Sequence, residues 1–156
     1  MREIKFRGYA VEEMVESQWI YGFGVKNIDY VDGTVEWHLH TLNGVYEVEP
    51  ESIGQFTGLK DKNGKEIYEG DIVTGQSFES SMLNHWKSGI LKHLDYEVEY
   101  VPEMYVIKYH EASFKTFNLK GRWVAILNHH VSSMVDDLQV VGNIYENPEL
   151  LKEESK

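Results

Sequence analysis

Tight-turn dipeptides set between short alternating runs constrain this chain more than any other feature. Asp32-Gly33, Asn43-Gly44 and Asn63-Gly64 each pair a residue that tolerates a left-handed backbone with a glycine that adopts it at no steric cost. Between the first two, Val35, Trp37 and Leu39 alternate with Glu36, His38 and His40, a period of two that predicts a strand with Val35, Trp37 and Leu39 inward. Trp19-Ile20-Tyr21-Gly22-Phe23-Gly24-Val25 precedes this strand and Val45-Tyr46-Glu47-Val48 follows it, so residues 19–48 read as a β-meander closed by Pro50. The glycines of the first run mark a bulge or a close backbone approach. Asn63-Gly64 predicts a further hairpin with a type I′ turn, and Gly70-Asp71 bends the chain into the strand beginning Ile72-Val73.

The rest of the chain extends this pattern. Ile4-Lys5-Phe6-Arg7 alternates apolar and charged residues. Runs beginning at Met104, Ser113, Trp123 and Leu138 are rich in β-branched and aromatic residues and predict strands. Between Gln76 and Pro102, Phe78, Met82, Leu83, Trp86, Ile90, Leu91 and Leu94 recur at spacings near three and four, predicting a short amphipathic helix interrupted by Gly89. Aromatics at 13% of the residues, with 10 Tyr and 4 Trp, suit a mainly β fold.

Composition removes several classes of function. Without cysteine there are no disulfides, thiolate metal sites or cysteine nucleophiles. The apolar runs are too short for a membrane span and the first residues lack a hydrophobic signal core, so the cytoplasm is the expected address and no membrane partner is expected. A net charge of -11 disfavours nucleic acid as a partner. Two local basic groups, Arg2/Lys5/Arg7 and Lys60/Lys62/Lys65, read as solvated strand and turn charges.

Three blocks carry a family resemblance: the opening Arg2-Glu3-Ile4-Lys5-Phe6-Arg7, the centre at residues 54–73, and the ending Val140-Val141-Gly142-Asn143-Ile144-Tyr145-Glu146-Asn147-Pro148-Glu149-Leu150-Leu151. In this order they resemble the YopX family, small proteins of bacteriophages and prophages. Gly8-Tyr9 departs from an Ala-Trp pair in the family's opening block. The resemblance implies an SH3-like β-barrel closed by strands from Ile72, Val106, Phe114 and Val141. The corresponding division is an N-terminal β region at 1–50 packed on the barrel, a barrel region at 51–148 with a partly helical insertion at about 76–103, and a charged tail at 149–156. It brings no catalytic or binding residue with it.

Direct search for chemistry yields few candidates. His38 and His40 lie two apart on one strand, share a face and are weak candidates for a metal pair. A third ligand would have to come from His110, His129, His130 or a carboxylate that no spacing brings near, and solvent-facing histidines explain the pair better. Residues 54–70 lack the spacing of a phosphate loop, and the serines lack a nucleophile-elbow context. Glu66, Glu69 and Asp71 read as turn and strand-edge charges, so no catalytic residue and no cofactor are assigned. Trp86 is a candidate partner-binding residue, since an inserted amphipathic element can dock on a partner or a second copy; covering one open end of the barrel is the favoured role of that element. The leading functional expectation is a non-enzymatic interaction module with an unknown protein partner and possible homo-oligomerisation. The alternatives are an acidic DNA mimic that inhibits a host nucleic-acid enzyme and, third, a metal-dependent hydrolase using His38 and His40.

Overall fold

The computed structural model describes residues 3–76, 102–127 and 137–152, and within them the protein is mainly antiparallel β. Three sheets account for the strands. The first has the order β2-β1-β6-β7, built from β1 (Phe6–Tyr9), β2 (Trp19–Gly22), β6 (Gly54–Lys60) and β7 (Glu66–Tyr68). The second is the meander β3 (Gly24–Asp29), β4 (Val35–His40) and β5 (Val45–Glu47). The third has the order β11-β10-β9-β8-β12, from β8 (Asp71–Gln76), β9 (Pro102–His110), β10 (Ser113–Asn118), β11 (Trp123–Ile126) and β12 (Gln139–Asn143). The first sheet joins segments on both sides of residue 50, since Phe6 and Arg7 pair with Gln55 and Gly54. Pro50 opens a short 3-10 turn, Pro50–Ser52, and another, Pro148–Leu151, follows β12.

The run at residues 19–25 is two strands rather than one. Gly22 ends β2 and pairs with Phe6, whereas Gly24 begins β3 and pairs with His40, so the chain passes from one sheet to the next at Phe23. A glycine is required at the crossing, because a Cβ on Gly22 would lie 2.2 Å from the His40 carbonyl oxygen. Of the three inward residues expected on β4, Leu39 is fully buried and Trp37 partly so, while Val35 at the strand's start is 49% exposed. Leu39 packs with Ala10, Ile20 and Val48 in one core cluster. Gly8 lies over this cluster with no room for a side chain, since a Cβ there would meet Val48 Cγ1 at 2.9 Å.

The turns also differ from expectation. A type I′ turn at Asn63-Gly64 would need positive φ at both residues, and only Gly64 has it, at 82°. Instead Asp61 N–H donates to the Lys65 carbonyl and Gly64 N–H to the Asp61 carbonyl, a three-residue connection with glycine in the left-handed position. The same hydrogen-bond pattern recurs at Tyr30–Thr34 around Gly33 and at Asn118–Arg122 around Gly121. Two consecutive positive φ values occur instead at Glu111 and Ala112, 50° and 60°, in the hairpin joining β9 to β10.

The strands at Ile72, Val106, Phe114 and Val141 do lie together, but in an open sheet: among the described residues its edge strands, β11 and β12, are not paired with each other and no barrel closes. Its core of Val73, Tyr105, Ile107, Phe114, Leu138 and Val140 is completed by Leu59 and Ile67 from the β6–β7 hairpin. Asp61 fastens that hairpin to the sheet edge. Its Oδ1 accepts the Asn63 and Lys65 N–H groups, and its Oδ2 accepts that of Val140 at 3.0 Å. The proposed helical insertion lies outside the described residues; β8 runs up to Gln76 and β9 starts at Pro102.

Candidate functional site

Arg7 is not the solvated strand charge its alternating context suggests. It is 7% exposed, and its side chain runs from β1 to Asp71 at the head of β8, where Nη1 lies 2.6 Å from Oδ1. Its guanidinium carbon sits 4.8 Å from the Trp19 ring centroid and 5.0 Å from that of Tyr68, so the cation is held between two aromatic faces. Nη2 donates to the Glu69 carbonyl. Nε has no hydrogen-bond partner, and Asp71 Oδ1 touches the guanidinium without hydrogen-bond alignment, so the pair is joined chiefly by charge. Asp71, 1% exposed, also accepts the Tyr68 N–H on Oδ2. Burial pushes the Asp71 carboxyl above its ordinary range, with Arg7 and the Tyr68 N–H opposing that shift.

The bend at Glu69-Gly70 ties the sheets together at this point. Glu69 N–H donates to Gln55, Gly70 N–H donates to Ile107, and the Gly70 carbonyl accepts from Ile144. Glu69 also accepts the Tyr109 N–H on its carboxylate. Gly70 adopts φ +83°, and Gly54 opposite leaves space for the Glu69 carbonyl, which a Cβ there would approach to 2.3 Å.

A cleft of about 240 Å³ opens over this junction, lined among others by Arg7, Trp19, Glu51, Glu69, Ile107, Tyr109 and Tyr145. Trp19 and Tyr145 form one wall, and they cluster with Tyr9 at ring centroids 5.1 to 6.1 Å apart. The turn after β12 positions it. Asn143 accepts the Tyr145 and Glu146 N–H groups and donates to the Glu146 carboxylate, which in turn accepts the Trp19 indole N–H at 2.9 Å. Carboxylates border the cluster: the Tyr145 hydroxyl is pushed up by partial burial and then by the negative fields of Glu49, Glu51 and Glu146, with neighbouring Tyr9. Ser52 is buried beneath it, accepting the Tyr9 N–H and donating to the Glu49 carbonyl, which leaves its hydroxyl a structural role.

The residues singled out from sequence lie elsewhere. His38 and His40 share one face of β4, facing Lys26 and Glu47 and facing Gly24 and Val45 across the ladders, and His38 Nε2 is 3.2 Å from Glu36. No group of three potential metal ligands converges on them or anywhere among the described residues. Trp86, His129 and His130 lie outside the described residues. Sequence reasoning missed the Arg7 site because nothing near Arg7 in the chain announces Asp71. The available signal was the Gly70-Asp71 bend, which placed an acid where the chain turns into the third sheet.

The fold and site define a small, mainly antiparallel β protein whose sheets meet at a buried arginine-aspartate pair under an aromatic, carboxylate-bordered cleft. Over residues 5–152 the chain matches the family model described as YopX protein, and it belongs to that family. No curated protein matches it. Among solved structures it is similar to protein EF1440 from Enterococcus faecalis, a crystal structure, at 24% identity and a TM-score of 0.44, over 96% of this chain and 98% of that one. Among the described residues no helix is long and apolar enough to cross a membrane.

Proposed function

We propose that the protein is a non-enzymatic interaction module of phage or prophage origin, acting in the bacterial cytoplasm, whose cleft over Arg7 receives a basic segment of a partner protein. The reading rests on the contiguous Tyr9-Trp19-Tyr145 cluster bordered by Glu49, Glu51 and Glu146. Trp and Tyr are the residues that most often anchor protein interfaces, and an acidic border selects a cationic partner and speeds its approach. The third sheet, with the β6–β7 hairpin over its core, is read as an SH3-like barrel left open, a frame that would hold the cleft rigid. Pairing with a second copy would be a further use of the same surface, read by light scattering.

An affinity pull-down from a bacterial host at low and high salt, with wild type and Trp19→Ala side by side, tests this. A partner kept at high salt by wild type and lost by the variant supports the module. A partner retained equally by both overturns it.

The acidic-mimic reading is favoured by the same three carboxylates. It expects a nucleic-acid enzyme retained only at low salt, competed by DNA and indifferent to Trp19.

A further inference from the structure

We infer that a second hollow beside Arg7 binds a compact phosphate dianion, held by Lys5, Arg7 and Lys65 against the rings of Tyr21 and Tyr68. The hollow, about 290 Å³, is lined by these residues and Glu66. It arises where the two basic groups of the sequence meet: β1 brings Lys5 and Arg7 beside the β6–β7 hairpin, which brings Lys65. Lys60 lies close enough for its field to act on Glu66 as well. Three cations line the hollow against Glu66, and with Asp71, which pairs with Arg7 from behind, counted as well, one positive charge is left in surplus there in a chain of net charge -11.

The cations are held in place before any ligand arrives. Lys5 Nζ is 2.5 Å from Glu66 Oε2 and 5.5 Å from the Tyr21 ring centroid. The Arg7 guanidinium is fixed between Trp19 and Tyr68, and it contributes charge to the hollow that it lines. Ordering these side chains is therefore a cost met on folding rather than on binding. Lys65 takes part in no ion pair among the described residues and is the cation most available to an incoming anion. A guanidinium flanked by ammonium groups suits the several acceptor oxygens of a phosphate better than a single carboxylate. Glu66 is the built-in competitor: it occupies Lys5 and repels the ligand, so affinity is expected in the millimolar range.

This site shares Arg7 with the partner cleft but takes a different ligand, and its test is distinct. Amide chemical shifts of the full chain are followed as inorganic phosphate is added, with sodium chloride at matched ionic strength as control. Saturable shifts clustered at Tyr21, Lys65 and Tyr68 are expected with phosphate. Lys65→Ala should weaken binding about fivefold and Glu66→Gln should tighten it about threefold. Opposite signs in two folded variants separate binding from loss of structure. Identical shifts with chloride, or affinities unchanged in both variants, overturn the proposal. Adenosine monophosphate forms a second arm: binding tighter than phosphate, and reduced to the phosphate level by Tyr21→Ala, would assign the exposed Tyr21 ring to the ligand's base, while equal binding assigns recognition to phosphate alone.

Discussion

Arg7 and Asp71, 64 positions apart in sequence, form a buried ion pair that joins the first strand to the strand opening the third sheet. Removing Arg7 leaves Asp71, 1% exposed, without its counter-charge in a place where water cannot reach it. Arg7→Met is expected to cost about 3–5 kcal/mol, and Arg7→Met with Asp71→Leu much less, because the double variant leaves no orphaned charge. Urea denaturation of the two variants measures the difference. The pH dependence follows from burial, which raises the folded-state pKa of Asp71 and does so further once Arg7 is gone. A carboxyl with a raised folded pKa contributes stability that is fully present below its unfolded value and is lost as pH rises through the folded one. The deficit of Arg7→Met should therefore be larger at neutral pH than near pH ~4.

Asp61 has the opposite sign. Burial pushes its carboxyl up, but N–H donation from Val140, Lys65 and Asn63 outweighs this and holds it below the ordinary range. Its stabilisation is present above the unfolded pKa and lost as pH falls through the lowered folded value. Asp61→Ala should cost about 1–3 kcal/mol at neutral pH, by freeing three backbone donors, and its stability curve should fall less steeply in acid than that of wild type. Thermal melts across an acid series read both effects.

The hairpin at Glu111-Ala112 places two non-glycine residues in the left-handed region. Ala112→Gly should stabilise the protein by about 1 kcal/mol. Glu111→Asn gains a similar amount in backbone energy but gives up the 2.6 Å contact with Lys115, whose side chain is 8% exposed, so its net effect should be close to zero. Chemical denaturation of the two variants distinguishes a gain from a cancellation.

Gly22 and Gly24 make a matched pair. A Cβ at Gly22 would overlap the His40 carbonyl, a backbone atom that cannot yield without separating β2 from β4, whereas nothing lies within 4 Å of a Cβ at Gly24. Gly22→Ala should destabilise by roughly 2 kcal/mol or more and Gly24→Ala by less than about 0.5 kcal/mol. Equal losses in calorimetry would contradict the crossing described at Phe23.

Strands were readable from sequence because alternation and aromatic content report directly on a half-buried pleated surface, and β4, β8, β10 and β12 fall where the pattern puts them, while β1 lies two residues beyond the run read at Ile4–Arg7. Turn types were not. Asn63 looked like the first residue of a type I′ turn, but its neighbour Asp61 supplies a carboxylate that captures the Asn63 and Lys65 N–H groups and selects a different connection. The sheet change at Gly22-Phe23-Gly24 was legible as a close approach, although not which backbone came near. The candidate site was almost wholly illegible. Arg7, Trp19, Asp71 and Tyr145 converge through long-range packing, and local charge patterning treats a buried arginine and a solvated one alike.

The bond between the Trp19 indole and Glu146 spans 127 positions. On the ribosome, the second strand is made long before its partner emerges, so the aromatic wall of the cleft cannot be completed until Tyr145 and Glu146 have been synthesised. Closure across such a separation is also slow relative to a local hairpin. The cleft thus records synthesis through Glu146: a nascent or prematurely terminated product that stops short of it carries Trp19 without the residues that hold it in place, and offers no finished surface to a partner.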